Sequence, residues 1–504
     1  MPGCCGAREK VRYRLTVLSG FLESLCFSGI AYGWASLVFV LKSDGYFADR
    51  CVNVTGEGHV LSADCSGQDE QLSQVMSVAS FTTNILRFPL GCLFDRFGTR
   101  VTRLLAVSLY LSGTLFFALS GKDQSVLLFP ALSCVITSGM LFYITNAQVG
   151  NLFDAHRSTV INIYTGAFDS SAAVFLIVKL LHGRGVSLQS SFLFLSSCSV
   201  IQLFRTLFLM PRGHIPHPLP EKYTYGLSCP RQGRGRGEEE GEKREMRDEV
   251  TEKHETNEVL FVERMQDKVQ PEPKHGEVDS FWSCVLSWLF VWHLLWVAII
   301  QFSHIFFLAT VNPRLNQLAN SDQNQVSLYT NAFAITQACG VLFAPCNGLI
   351  LDRHKKRNLA PGETRQEADF SSFSLSLFLT ALQCFLFCVF FSAPLLPLQY
   401  ITFTLQVINS SFMYGGHQTF ISTVFPVCHF GKLTGLTMTM SAMTLLLQFP
   451  VLHVIQHQLQ GDPLYVNVSV ALLSLFTFIH PVHVHLWSRK LGNQRRAKEE
   501  VEGK

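Results

Sequence analysis

Three residues with a formal charge interrupt otherwise apolar stretches of the chain: Glu23, Arg87 and Asp169. An ionisable group is costly inside a membrane, so each is a candidate for function by default. At about 1.5 Å per helical residue, Glu23 and Arg87 lie at a similar depth of about 12 Å on successive stretches. We favour a structural ion pair between these two over ligand contact. Asp169 lies near the middle of its stretch, where ligand binding and structural anchoring remain equally open.

Uncharged polar side chains at mid-depth form a second set of candidates for ligand binding: Tyr32, Asn84, Gln301, Gln337, Asn409 and Tyr414. Amides and phenols offer hydrogen bonds to the edge of a planar, uncharged ring, and aromatic faces offer stacking. A zwitterion would instead need partners for both of its charges in a medium of low dielectric constant. For any single member of this set, a helix-to-helix hydrogen bond remains the alternative.

The sequence favours no enzyme reaction. It has no phosphate-binding Gly-rich loop with Lys and Ser or Thr, no zinc-protease motif and no Gly-flanked nucleophilic Ser. His480, His483 and His485 crowd one segment, but their spacing matches no established zinc pattern. We therefore expect no catalytic residue, no metal and no cofactor.

The segments that carry these residues are those of a membrane protein. Of 504 residues, 48% are hydrophobic and only 15% are charged. A helix that crosses the hydrocarbon layer needs about 20 mostly apolar residues. We count twelve such segments, at about 15–41, 72–94, 102–121, 125–150, 158–181, 188–210, 285–311, 326–351, 370–393, 396–422, 433–456 and 465–487.

The short loops predict the orientation of the chain. Lys and Arg are held back on the cytoplasmic side during insertion. They concentrate before the first segment, after the second and eighth segments, and beyond the last one. Both termini are therefore predicted to be cytoplasmic, and the net charge of +3 reflects topology, with no expected binding of nucleic acid.

These patterns divide the chain into two six-helix halves with polar ends. The predicted parts are a cytoplasmic tail (1–14), the N-terminal half (15–210), a mostly disordered acidic linker (211–284), the C-terminal half (285–487) and a second cytoplasmic tail (488–504). The linker contains "GRGRGEEEGEK" and almost no aromatic residues, a composition that cannot form a core. We expect a tether, and the identity of any cytoplasmic partner stays open.

The first outer loop combines two cysteines with a glycosylation motif. Cys51 and Cys65 flank "NVT" at Asn53. Oligosaccharides and disulfides are both added on the oxidising, non-cytoplasmic side of a membrane. The loop is therefore predicted to carry a disulfide and a sugar.

One turn occurs twice, at corresponding places in the two halves. "GCLFDRFGTR" follows the second segment and "GLILDRHKKR" follows the eighth. Gly allows helices to approach closely, and a carboxylate can cap a helix end or pair with a neighbour. We predict a latch in a transporter of two rocking halves, formed by Gly91, Asp95, Arg96, Gly348, Asp352 and Arg353.

The repeated Gly-x-x-x-Asp-Arg turn resembles that of the major facilitator superfamily. The stretches "NLFDAHRSTVINIYTGAFDSSAAVFLIVKLL", "YTNAFAITQ", "FGKLTGL" and "DPLYVNV" are more specifically similar to solute carrier family 43. The resemblance covers nearly the whole chain except the linker. It implies an all-α membrane protein with twelve transmembrane helices, in a major facilitator fold of two pseudo-symmetric six-helix halves.

The resemblance also implies a function. Within this family, the similarity is greatest to the nucleobase-carrying member, which implies sodium-independent, equilibrative movement of adenine, guanine and hypoxanthine across the plasma membrane. Sister members carry large neutral amino acids, so facilitated transport of those is the first alternative. A non-transporting regulator or scaffold is the second. The expected partners are a purine nucleobase and the surrounding lipid.

Overall fold

A computed structural model describes residues 3–56, 59–220, 223, 225, 280–320, 322–353, 364–459 and 463–502 of the chain. Positions 226–279, most of the predicted linker, lie outside this part. The described residues up to Tyr225 and from Phe281 onward pack as one unit.

The N-terminal half is built from helices joined by short turns. Its α-helices are α1 (Gly3–Glu23), α2 (Trp34–Ser43), α3 (Ser66–Leu119), α4 (Leu128–Ala147), α5 (Arg157–Ser170), α6 (Ala173–His182), α7 (Leu188–Ser197) and α8 (Ser199–Phe208). Shorter helical pieces are Ser24–Ser28, Ile30–Gly33, Ala48–Arg50, Lys122–Leu127, Gln148–Leu152 and Asp154–His156.

The C-terminal half is helical in the same way. Its α-helices are α9 (Phe281–Val285), α10 (Trp288–Leu318), α11 (Gln323–Ala338), α12 (Gly340–Asp352), α13 (Arg365–Ser392), α14 (Gln399–Val424), α15 (Phe430–Leu445), α16 (Gln448–His457), α17 (Leu464–Ser474) and α18 (Ile479–Glu502). Short 3-10 turns occupy Leu396–Leu398, Val427–His429 and Leu475–Phe478.

The twelve predicted segments all coincide with helix, but not all of these helices are both long and apolar enough to cross a membrane. Within the described residues, seven helices are long and apolar enough to cross a bilayer, and nine are if each of two bent pairs is one span. The tenth predicted segment, α14, is not among these helices because it carries many buried polar side chains. The eleventh is divided between α15 and α16. The count of twelve therefore stays a prediction.

A turn at Gly98 divides the range of α3 into two helices, which correspond to two predicted segments. α3 contains both the second and third segments, and Gly98 between them has φ 75° and ψ −171°, far from helical values. Only glycine adopts such a backbone without strain. A side chain there would also meet Gly213 and Arg212 at about 3.1–3.2 Å. This glycine therefore reverses the chain at the first repeated turn.

Two spans are bent in their middle. The first breaks between α1 and α2 by 41°, and the eighth breaks between α11 and α12 by 44°. At the first break Gly29 packs against the Phe168 carbonyl, which leaves no room for a Cβ atom. A break in a helix leaves backbone groups without their usual intrahelical partners, so other parts of the protein must satisfy them.

A small hairpin departs from the all-helical prediction. β1 (Val52–Gly56) pairs antiparallel with β2 (His59–Asp64), with Val52 opposite Asp64. The disulfide between Cys51 and Cys65 closes its base. The cross-link and the ladder give this loop an order that its polar sequence did not predict. The Asn53 side chain lies outside the described part, so its glycosylation stays a prediction.

The beginning of the predicted linker makes defined contacts with the N-terminal half, and the boundaries of the linker stay a prediction. Met210 and Ile215 are buried at one end of the N-terminal half. Thr99 donates to the carbonyl of Gly213, and Asn151 donates to that of Ile215. Apolar residues in "MPRGHIPHPLP" give this segment a surface to bury, which the acidic remainder lacks.

Candidate functional site

Glu23 sits in a buried cluster of charges, but its partner is not the predicted one. Arg103 donates to one carboxylate oxygen, and Arg205 donates to the other at 2.5 Å. Asn146 adds a bond of 3.0 Å. The predicted Glu23–Arg87 pair is therefore wrong, because equal depth on successive helices does not make two side chains face each other. Arg103 and Arg205 lie inside predicted segments, which is the signal that sequence reasoning missed.

The first copy of the repeated turn, in the N-terminal half, caps a helix of the C-terminal half. Asp95 accepts hydrogen bonds from the backbone N–H groups of Gly431 and Lys432 at 2.7 and 2.8 Å. These N–H groups begin α15, where the helix dipole favours a negative charge. A Cβ atom on Gly91 would lie 2.1 Å from the Gly431 carbonyl oxygen, so the two backbones touch.

The second turn makes the reciprocal contact. Asp352, at the end of α12, accepts from the N–H groups of Ser158 and Thr159 at 3.2 and 2.7 Å, and from the Thr159 hydroxyl at 2.8 Å. These residues begin α5 of the other half. Gly348 packs against Thr159 with no space for a side chain. Each half therefore caps a helix of the other, which is the symmetry that the repeated sequence implies.

The arginines of the two turns take no part in these caps. Arg96 and Arg353 are exposed, and Arg96 lies over the Phe97 ring at 5.4 Å. A third contact between halves comes instead from Arg157, which donates to the Thr423 hydroxyl at 2.7 Å and to the Ser422 carbonyl at 2.9 Å.

A cavity lies between the two halves, beside the first cap. Among the described residues of its wall, Arg87 alone carries a formal charge, and the others are mostly apolar or aromatic. The residues that line it are Thr83, Arg87, Leu90, Gly91, Met140, Leu141, Tyr143, Ile144, Thr165, Phe168, Tyr414, Gln418, Thr434, Gly435 and Met438. They come from α3, α4, α5, α14 and α15, so both halves contribute.

Three of the predicted ligand-binding residues gather around this cavity. Tyr414 lines it. Tyr32 is 42% exposed, interacts with Tyr414 and meets the Phe168 ring edge-on at 5.6 Å. Asp169, which is buried, accepts from the Ser411 hydroxyl at 3.3 Å and lies within electrostatic range of both tyrosines. Sequence reasoning thus found part of the wall but took Arg87 for a structural residue.

The predicted amides lie elsewhere. Gln337 donates to Gln406 at 2.7 Å, and Asn409 donates to the Thr380 carbonyl at 2.8 Å. Gln301 is buried within the C-terminal half. The backbone carbonyl of Asn84 accepts a hydrogen bond from the Thr439 hydroxyl. None of the four lines the cavity, because depth in a helix does not fix the face on which a side chain lies.

Ser170 supports the bend in the eighth segment. Its hydroxyl donates to the Ala338 carbonyl at 2.8 Å and accepts from the Val341 N–H at 3.0 Å. Both groups flank the break between α11 and α12. A side chain of the N-terminal half therefore satisfies backbone groups that the bend frees in the C-terminal half.

Three histidines form a buried hydrogen-bonded chain. His293 contacts His480 at 3.1 Å through one ring nitrogen and His417 at 2.9 Å through the other. The chain links α10, α14 and α18. Within the described residues, no group of three His, Cys, Asp or Glu side chains has a geometry that could hold a metal. The contacts observed are those of a tie between helices.

Reciprocal helix caps, bent spans and a cavity between two helical halves define a membrane transporter of duplicated architecture. Residues 16–363 match the family described as Major Facilitator Superfamily. The chain is 48% identical over 476 residues to Equilibrative nucleobase transporter 1 of Bos taurus, covering 93% of this chain and 95% of that one. The chain therefore belongs to the major facilitator superfamily, and within it to solute carrier family 43.

More distant relatives agree with the family and the fold. Large neutral amino acids transporter small subunit 3 of Homo sapiens is 27% identical over 541 residues, 94% of each chain. A bacterial homologue of the iron transporter ferroportin, solved in an outward-facing state, superposes with a TM-score of 0.53 at 11% identity, covering 95% of this chain and 99% of that one. The Escherichia coli fucose:proton symporter FucP superposes with a TM-score of 0.53 at 11% sequence identity, covering 94% of this chain and 98% of that one. These two structures support the fold alone.

Proposed function

We propose that this protein moves purine nucleobases such as adenine, guanine and hypoxanthine down their gradients, without sodium. The observation that carries the proposal is the 48% identity, over nearly the full length of both chains, to Equilibrative nucleobase transporter 1 of Bos taurus. At 27% identity, the human amino acid transporter is a much weaker guide. No enzyme reaction and no cofactor enter the proposal.

The chemistry of the cavity supports a flat, uncharged substrate. Tyr143, Phe168 and Tyr414 supply aromatic faces on which a purine ring can stack. Thr83 and Gln418 supply hydrogen-bonding groups for its edge. The rest of the wall is apolar, as expected for a site that removes most of a small ring from water.

Access to the cavity is proposed to alternate through the reciprocal caps. Asp95 and Asp352 hold the two halves together at one end. Release of both caps would let the halves rock apart there and expose the cavity. By the distribution of Lys and Arg, this end faces the cytoplasm. Both termini are then cytoplasmic, the Asn53 loop is outside, and the membrane is the plasma membrane.

Transport of a large neutral amino acid is the second candidate, and one observation favours it. Arg87 and Asp169 lie within electrostatic range of the same three tyrosines, Tyr32, Tyr143 and Tyr414. Opposite charges around one cavity could receive the carboxylate and the ammonium of a zwitterion. The two candidates therefore predict different uses of the same residues.

Uptake of labelled substrates separates the candidates. Cells that express the chain should accumulate labelled adenine faster than untransfected cells, and replacement of sodium should not change the rate. Labelled leucine should enter at the background rate. Leucine uptake without adenine uptake would transfer the function to the second candidate, and the uptake of neither would leave a non-transporting regulator or scaffold.

A further inference from the structure

Arg87 lines the cavity and has no counter-ion among the residues that the structure describes. Within the described residues, no carboxylate lies within ion-pair distance of it and no hydrogen bond involves its guanidinium. Glu23, its predicted partner, is occupied by Arg103 and Arg205. A cation without a partner at this depth is expensive, so a structural role does not explain it.

The backbone that carries Arg87 is held firmly. A Cβ atom on Gly435 would lie 2.5 Å from the Arg87 carbonyl oxygen, and one turn further along Gly91 touches Gly431. These contacts press α3 against α15 at the edge of the cavity. The guanidinium therefore extends from a fixed point, which favours directional recognition over a diffuse charge effect.

The other polar atoms that lack a protein partner in this wall are mainly donors. Gln418 has an unpartnered side-chain amide nitrogen, and Thr434 has an unpartnered hydroxyl. Together with the guanidinium N–H groups, these groups are complementary to a ligand that presents hydrogen-bond acceptors. A buried donor left without an acceptor costs free energy, so a complementary ligand gains discrimination as well as affinity.

We infer that Arg87 determines specificity by donating two hydrogen bonds to the O6 and N7 atoms of a 6-oxopurine such as hypoxanthine or guanine. In the N9–H tautomer these two acceptors lie side by side, and the planar guanidinium matches them. Adenine presents an acceptor beside an amino donor on the same edge, which suits an amide instead. The inference rests on the proposed transport of purines. It names the contact that makes the protein prefer one purine over another.

The variant Arg87→Gln tests this contact. A glutamine offers one donor and one acceptor, the pattern that adenine matches. We expect uptake of labelled hypoxanthine to fall at least about tenfold, the lower range for loss of a bidentate base contact, while adenine uptake falls far less. The loss should appear as a higher KM for hypoxanthine. Arg184→Gln, the same exchange at an exposed loop residue, is the control and should leave the hypoxanthine-to-adenine ratio unchanged.

Arg87→Lys supplies a second arm if the glutamine variant fails to reach the surface. An ammonium keeps the charge but lacks the planar fork, so hypoxanthine uptake should fall more than adenine uptake. An unchanged ratio in a variant present at the surface, or an equal loss of both bases, would overturn the inference while purine transport by the unmodified protein stands. Absence of base uptake by the unmodified protein would instead remove the proposed function beneath it.

Discussion

At the scale of single residues, Glu23 and Arg87 differ in their partners: buried Glu23 is paired with arginines, whereas half-buried Arg87 has no ion-pair partner among the described residues. Glu23 is held by two arginines from two other helices, and this triad ties α1, α3 and α8 together. The sequence identified Glu23 as an unusual residue but not its partners, since the facing of helices depends on packing that no local pattern records. Arg87 then became available for a different role.

Replacing Glu23 by Gln should destabilise the protein strongly. Two buried arginines would lose their counter-charge, and removal of one partner from a buried ion pair typically costs about 3–5 kcal/mol. A lower melting temperature of the purified protein, with reduced surface expression, is the expected result. Glu70→Gln, at an exposed position, is the matched control. Equal melting temperatures for the two variants would show that the triad contributes little.

The two capping aspartates should control the balance of conformations. Asp95→Ala or Asp352→Ala removes a carboxylate that receives two backbone N–H groups, and loss of a helix cap costs about 0.5–2 kcal/mol. The cap stabilises only the conformation in which the two halves touch at this end. Its loss should therefore raise the ratio of open to closed molecules by about 2- to 30-fold. Slower maximal uptake at normal surface expression is expected. Unchanged maximal uptake in both variants would reduce the turns to topology markers.

At the scale of elements, helix contacts between the halves depend on glycines. Gly91 lies against Gly431, and Gly348 lies against Thr159, at distances that exclude a side chain. The repeated turn indicated from sequence that two helices approach closely here, but the partner helices α15 and α5 could not be read from it. Pairing across the halves is a long-range property, and the sequence repeat constrains only its symmetry.

Adding a side chain at either glycine should hold this end open. Gly91→Val would force apart the start of α15, and Gly348→Val would do the same at α5. We expect reduced uptake, together with higher labelling of exposed Cys428, in the turn preceding α15, by a thiol reagent supplied from that side. Gly121→Val is the control, because nothing lies within 4 Å of a Cβ atom there. Labelling no greater than in the control would contradict the role of the close approach.

At the scale of the whole molecule, fold and family followed from the sequence more readily than the site did. Twelve apolar segments and one repeated turn were sufficient for the duplicated helical architecture, because lipid restricts the chain to helices. The cavity was harder to predict, since Asn84, Gln301, Gln337 and Asn409 have the right depth but the wrong face. Of the predicted residues, Tyr414 lines the cavity, while Asp169 lies behind it and accepts a hydrogen bond from Ser411; their roles in binding stay predictions.

The central part of the linker should be dispensable for transport. Tyr225, near the beginning of the linker, hydrogen-bonds Thr16, and the acidic sequence beyond it does not have the composition of a hydrophobic core. Deletion of residues 235–275 should therefore leave adenine uptake unchanged at equal surface expression. A large loss of uptake at normal surface levels would point to regulation by this segment.

Counterflow in vesicles tests the central claim most directly. Purified protein is reconstituted into liposomes preloaded with unlabelled adenine and diluted into a trace of labelled adenine, with no ion gradient. An equilibrative carrier should drive a transient accumulation of label above its equilibrium level, and hypoxanthine inside should drive it as well. Absence of the overshoot with purines, or an overshoot seen only with leucine, would contradict the account.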